Sequence, residues 1–384
     1  MSQYRVARPE RLLPLGTKIA RINWFLVVLL CLAAMIGVAV LYSIADGAWT
    51  PHAAQHAVRF GAALLIMLAL ALVDIRWWMA LAYPAYFGAL ALLVAVALFG
   101  TKVMGAQRWL DLGPLRIQPA EMMKLALVLA LARYYHSLNG VRPWRLRHVA
   151  IPALMIGAPV ILILRQPDLG TALLVGATGA AMIFLAGLSW RIIGAGALAG
   201  LIGGAAFIVF GLHDYQRARI ETFLHPERDP MGAGYHILQS KIALGSGGMT
   251  GKGFLGGTQS HLDFLPEKQT DFVFTALGEE FGFVGSVFVL ALYMSILVTG
   301  MLIAARSRHT FGRLAAGGVC ATFALYVLVN IAMVMGLIPV VGVPLPLISY
   351  GGTVMLTVMI GFALVMAVHI HRDAELPSGL GMLL

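Results

Sequence analysis

The feature that most constrains this chain is a run of uncharged apolar residues about as long as a bilayer is thick, repeated along the sequence. Residues 23–44, NWFLVVLLCLAAMIGVAVLYSI, carry no charged side chain. A helix of about 20 such residues crosses the hydrocarbon of a membrane. Charged residues make up only 11% of the chain and hydrophobic residues 60%, against about 25% charged in a soluble domain. That balance excludes a large soluble protein with buried helices. The expected fold is an all-α polytopic membrane protein of about ten transmembrane helices, at roughly 23–44, 57–74, 77–99, 119–137, 148–165, 170–187, 190–212, 271–304, 312–338 and 348–370. The eighth span is long enough to tilt strongly or to leave its first turns outside the hydrocarbon.

Positive charge in short loops orients such a chain. Arg5, Arg8, Arg11, Lys18 and Arg21 precede the first span, Arg142, Arg145 and Arg147 follow the fourth, and Arg306, Arg308 and Arg313 follow the eighth. Loops 45–56 and 339–347 have neither Lys nor Arg. Segment 1–22 and the tail 371–384 are therefore expected in the cytoplasm. They flank one ten-span domain, 23–370, with a large extracytoplasmic loop at about 213–270 between spans seven and eight. No cleavable signal peptide is expected, since 1–22 is polar and basic and the first apolar run has full span length. The net charge of +10 is spread over short loops, which excludes a nucleic-acid patch. Cys31 and Cys320 both fall in spans and read as small packing residues.

Polar residues at membrane depth are functional candidates, and here they cluster on the expected outer side. In GAQRWLDLGPLRIQPAEMMK (105–124) lie Arg108, Trp109, Asp111, Arg116, Gln118, Glu121 and Lys124. Glu121 and Lys124, spaced i, i+3, share a helix face and can pair, as a structural ion pair or as part of a site. Trp109 also suits an interfacial anchor. In RQPDLGTA (165–172), Asp168 can cap the next helix. The 213–270 loop holds seven glycines between Gly245 and Gly257, flanked by Lys241 and Lys252. Such a loop can bring backbone N–H groups to a phosphate, or simply be flexible; no Walker A pattern is present.

In FLPEKQTDFVF (264–274), Asp271 stands where a polar stretch meets a long apolar one. Thr270 or Asp271 could cap span eight, or Asp271 could be a general base for a substrate that is part lipid and part polar. Glu279 and Glu280 lie deeper and require a partner or an interior cavity. GLIPVVGVPLPLISYGGT (336–353) carries three prolines and several glycines between two spans. It reads as irregular backbone lining a cavity, with Ser349, Tyr350 and Thr353 on its wall, or as a tight external turn.

GAQRWLDLG, QPAEMMK, RQPDLGTA, HPERDPMGAGYHILQSKIALGSGGMTGKGFLGGTQ, FLPEKQTDFVFTALGEEFGFVG and PVVGVPLPLISYGGT together resemble the SEDS family (shape, elongation, division and sporulation), polytopic bacterial cell-wall polymerases. The resemblance covers nearly the whole chain. GTQSHLDFLPEKQTDF fits its elongation branch, with the division branch as the alternative. Gln269 stands where the family can carry a histidine or another polar residue.

The resemblance implies a peptidoglycan glycosyltransferase of the bacterial cytoplasmic membrane. It would polymerise lipid II at the outer face, with a class B penicillin-binding protein and other elongation-complex proteins as partners. It implies Asp271, in the T-D-F motif, as the essential carboxylate and Glu121 with Lys124 as paired core charges. Arg108, Asp168, Gln216, Arg219 and Thr258 would line or support the donor or acceptor groove. The leaving pyrophosphate calls for cations, for which Arg217, Arg219, Lys241 and Lys252 are candidates. A divalent cation could share that task, although no acid cluster has ligand spacing. The rival readings are a lipid II flippase and a scaffold that only recruits the transpeptidase. A flippase would spread polar residues along a path to the cytoplasmic side.

Overall fold

The computed structural model describes residues 13–103, 106–112, 115–138, 147–187, 194, 221–223, 225, 233–261 and 267–377. Along the chain come α1 (Leu15–Ala20), α2 (Trp24–Ile44), α3 (His52–Ala71) and α4 (Ile75–Phe99). Three short strands follow, β1 (Thr101–Val103), β2 (Ala106–Leu112) and β3 (Leu115–Ile117). The remaining helices are α5 (Pro119–Ser137), α6 (Arg147–Leu164), α7 (Leu169–Leu185), α8 (Ala233–Ser246), α9 (Thr258–His261), α10 (Val273–Arg306), α11 (Thr310–Val334) and α12 (Gly352–Ile370).

Nine of the ten expected spans thus appear as helices, displaced by a few residues at most. The seventh, 190–212, falls almost entirely outside the described residues, as does most of the 213–232 part of the large loop. Among the described helices, α2, α3, α4, α10, α11 and α12 are long and apolar enough to cross a membrane, and α6 and α7 are shorter apolar helices.

The described residues are helical as expected, with one small exception. Residues 101–117 form a three-stranded antiparallel sheet of order β1-β2-β3. In AQRWLDL polar and apolar residues follow each other closely, and the sequence places the turn signal Gly-Pro just before Leu115. That pattern favours a hairpin over a helix.

The helices pack around α11, which contacts α10, α5, α7 and α12. Their termini gather at two ends. At one end, Lys18 Nζ donates to Leu72 O at 2.8 Å and Arg21 Nη1 to Ile370 O at 3.2 Å. Arg308 N donates to Arg372 O at 3.2 Å, and Arg308 Nε lies 3.5 Å from Asp373. Segments 15–21 and 370–373 therefore lie together with the α10–α11 turn. The sheet, the α6–α7 turn, the start of α10 and segment 335–351 lie at the other end.

α10 is not one straight rod. Gly282 has φ 64° and ψ −158°, a conformation open essentially only to glycine. The helix breaks there, near its first two turns, instead of running 34 residues straight or simply tilting. A Cβ at Gly282 would lie 2.3 Å from Gly251 N, so the break is also where loop 247–257 sits down on the helix.

Segment 336–351 is not a tight external turn. It has no regular helix, and Val341, Val343, Leu345, Leu347 and Ile348 are buried. The prolines that stop a helix here let the chain fold back into the bundle as a strap.

Candidate functional site

Asp271 lies two residues before α10, in a stretch whose backbone is not helical. The N-cap position is Phe272, which has no side-chain acceptor, and the Thr270 hydroxyl bonds to Glu267. Neither Thr270 nor Asp271 occupies the N-cap position of α10.

Three successive carbonyls of the Asp271 stretch are each held by a donor. Tyr350 N donates to Gln269 O at 2.8 Å. The Ser349 hydroxyl donates to Thr270 O, and Asn330 Nδ2 donates to Asp271 O at 2.8 Å. Asn330 Nδ2 also donates to Val343 O at 2.6 Å, and Leu345 N to Ser349 Oγ at 2.8 Å. The strap and the Asp271 stretch are therefore one hydrogen-bonded unit. Gly342, at φ 70°, lies under the carboxylate: a Cβ there would be 3.3 Å from Asp271 Oδ2.

A second cluster is buried one turn along α11. Lys124 Nζ donates to Glu121 Oε1 at 2.6 Å, and both groups also bond the Tyr326 hydroxyl. The expected i, i+3 pair is present, and both side chains are almost fully buried. Tyr326 and Asn330 are spaced i, i+4, so one face of α11 serves both clusters. Beside this pair, Val128, Phe323, Phe362 and Thr357, together with Lys124 and Tyr326, line a small, mainly apolar pocket of about 30 Å3.

The third cluster joins separate loops. Asp168 Oδ1 accepts from Thr171 N at 3.2 Å and caps α7. Its other oxygen faces Arg108 Nε at 3.6 Å and accepts from Gln118 Nε2 at 3.3 Å. Arg108 also donates to Pro167 O. Asp168 is therefore a cap and also the acceptor on which Arg108 and Gln118 converge. The turn abuts the strap, because a Cβ on Gly170 would stand 2.4 Å from Val341 O. The first and third clusters thus share the strap, and the first and second share one face of α11.

The Gly-rich loop has a different role from the one its composition suggests. Lys252 Nζ donates to Glu279 Oε1 at 2.6 Å and to Thr258 Oγ1 at 2.8 Å. Thr258 Oγ1 and Gln259 N also donate to Glu279 Oε1, both at 3.0 Å. Ser43 bonds Glu280. These contacts are the partners that the two acids within the span require. The glycines bring the loop onto α10: Cβ atoms at Gly247 and Gly251 would lie 2.1 and 2.0 Å from the carbonyl oxygens of Gly278 and Glu280.

Of the other sequence candidates, Trp109 is half-buried in β2, and Thr353 is half-buried in the first turn of α12. Lys241 is exposed, with its chain lying across Gly336. Gln216, Arg217 and Arg219 lie outside the described residues. Tyr326 and Asn330 were not anticipated from the sequence. Among the described residues, no group of three or more His, Cys, Asp or Glu is arranged to hold a metal ion.

A family model described as cell cycle protein, FtsW/RodA/SpoVE, matches residues 18–374. The chain is 50% identical to the peptidoglycan glycosyltransferase MrdB of Escherichia coli K12 over 313 residues, 80% of this chain and 83% of MrdB. It is 37% identical over 293 residues to a probable peptidoglycan glycosyltransferase FtsW of Trichlorobacter lovleyi, 74% of each chain. Among solved structures it resembles the crystal structure of the Thermus thermophilus rod shape determining protein RodA. That match has a TM-score of 0.70 and 31% identity over 92% of this chain and 98% of that one. A chain from a structure described as a peptidoglycan synthase complex that coordinates polymerization and crosslinking gives a TM-score of 0.79 and 34% identity, over 92% and 99%.

Proposed function

The chain belongs to the FtsW/RodA/SpoVE family of cell cycle proteins, and on that premise we propose that it is an elongation-type peptidoglycan glycosyltransferase with Asp271 as its general base. It builds glycan strands from lipid II at the outer face of the bacterial cytoplasmic membrane, with both termini in the cytoplasm and a class B penicillin-binding protein as partner. The single observation that carries this reading is Asp271 itself, a carboxylate outside the helix-cap position whose backbone is fixed by three separate donors.

The reaction is an inverting glycosyl transfer. Asp271 takes the proton from the 4-hydroxyl of an acceptor N-acetylglucosamine. The hydroxyl oxygen forms a bond to the anomeric carbon of the lipid-linked N-acetylmuramic acid. The bond from that carbon to the pyrophosphate oxygen breaks, and undecaprenyl pyrophosphate leaves with the electron pair. A positioned general base contributes about 10²–10⁴-fold. Cations stabilise the departing charge; Lys241, with Arg217 and Arg219, is assigned to it, Arg108 being engaged with Asp168 and Pro167 O. Lys252 is less suited, because Glu279 already holds it.

The test is polymerisation of lipid II by purified protein with its class B penicillin-binding protein, with products resolved by length. Wild type is expected to make long glycan and a folded Asp271→Asn variant none. Equal polymer from both would remove Asp271 from the chemistry. No polymer from either would favour lipid II transport.

A further inference from the structure

We infer that Asn330 is a positioning residue for Asp271, holding the carboxylate in place through the peptide backbone without touching substrate. The inference rests on the general-base reading above. Asn330 sits in the interior of α11 with no exposed surface, where an unpaired amide is costly. Its two N–H bonds go to two different segments, to Asp271 O at 2.8 Å and to Val343 O at 2.6 Å. The orientation of the amide follows from those partners. Reversed, its oxygen would face two carbonyl oxygens with no donor between them.

The consequence is geometric. Asp271 and Gly342 belong to segments more than sixty residues apart, and the carboxylate lies so near Gly342 that a Cβ there would stand 3.3 Å from Asp271 Oδ2. Asn330 binds the residue carrying the base and the residue next to Gly342, so a single amide group sets the separation of the two. The carbonyls of Gln269 and Thr270 are held by the strap, through Tyr350 N and Ser349 Oγ. Of the three carbonyls, the one tied to a transmembrane helix among the described residues is that of Asp271, and a helix is stiffer than either loop. Asn330 therefore references the base to α11, the same helix whose Tyr326 is bonded to Glu121 and Lys124.

Misplacing a catalytic group by about 1 Å costs on the order of 10²-fold in rate. The test measures kcat and KM for lipid II polymerisation in wild type, Asn330→Ala and Asn330→Asp, each in complex with its partner, together with Tm in detergent. In Asn330→Ala, kcat is expected to fall roughly 10²-fold with KM within about threefold. Asn330→Asp keeps the volume but removes both donors and brings a like charge near Asp271. A neighbouring negative charge opposes ionisation, so the acid limb of its pH–rate profile is expected to move to higher pH as well. A folded Asn330→Ala variant with wild-type kcat overturns the inference, as does a rise in KM at constant kcat. If Asn330→Ala does not fold, Asn330→Asp decides, and a wild-type pH profile in it overturns the inference. Failure of both variants to fold would make Asn330 a packing residue and overturn it too. The two readings fail separately: activity in Asp271→Asn defeats the base assignment, whereas an inactive Asp271→Asn beside a silent Asn330 defeats only this one.

Discussion

Replacing Lys124 by methionine tests what the buried charge pair does. Lys124 is 1% exposed and Glu121 4%, and the 2.6 Å bond between them is the carboxylate's only ion pair among the described residues. Lys124→Met fills nearly the same volume and leaves Glu121 with the Tyr326 hydroxyl alone. Breaking a buried pair by removing one partner costs about 3–5 kcal/mol. At roughly 2 °C per kcal/mol for a chain of this length, Tm should fall by about 6–10 °C. Adding Glu121→Gln removes the stranded charge and keeps a bonding partner for Tyr326, so the double variant should recover all but about 1 kcal/mol. Thermal unfolding in detergent, followed by intrinsic fluorescence, measures both. A single variant within about 2 °C of wild type would refute the reasoning, and so would a double variant no more stable than the single. The double variant also separates the two readings of the pair. If it is stable and active, the charges are structural; if it is stable and inactive, they serve the reaction.

Three further outcomes are expected. Gly342→Ala forces φ 70° on a residue with a Cβ 3.3 Å from Asp271 Oδ2; it should cost about 1 kcal/mol of stability and lower lipid II turnover, and unchanged turnover would argue against a part for the Gly342–Asp271 approach in the reaction. Lys252→Met strands the buried Glu279 carboxylate with Thr258 and Gln259 as its remaining donors; hydrogen exchange at 251–259 should rise, and unchanged protection would mean that the glycine contacts alone hold the loop. His309, in the α10–α11 turn, is held down to about 4 from 6.5, chiefly by burial and further by His136, His371 and Arg313, against its bond to His371 O. The unfolded chain takes up that proton first, so stability present above pH 6.5 is lost as pH falls toward 4, by at most about 3 kcal/mol. Tm measured against pH should fall more steeply in wild type than in His309→Asn, which keeps a capping acceptor for Gly312, and equal slopes would contradict this.

What the sequence made legible was local. Span boundaries follow from where apolar runs stop, and the Glu121–Lys124 pair follows from helical spacing alone. The capping role of Asp168 was visible for the same reason, because the turn and its helix are adjacent in the chain. The long-range partners were not visible. Nothing near residue 121 announces Tyr326, and nothing near Asp271 announces the strap, because only tertiary packing brings these segments together. Asn330 did leave a signal: an amide in the apolar run LYVLVNIAMV must find partners at membrane depth. The Gly-rich loop misled because the same freedom that lets a backbone approach a phosphate lets it approach another helix. The sheet at 101–117 was missed because its short strands sit among charged residues that read equally well as a loop.

The break at Gly282 changes what α10 can do as a mechanical element. Uninterrupted, its 34 residues would make a rod of about 51 Å, well beyond a hydrocarbon core of about 30 Å. Divided at the glycine, the longer piece of about 24 residues measures about 36 Å, which a tilted helix accommodates. The shorter piece, which begins two residues after Asp271, need not share the axis along which the longer one crosses the bilayer. Loop 247–257 splints the joint: Lys252 N and Gly253 N donate to Glu279 O and Glu280 O before the break, and Gly248 O and Met249 O accept from Phe283 N and Val284 N after it. The break therefore works as a fixed elbow, and the loop that bridges it sets the heading of the segment that carries Asp271.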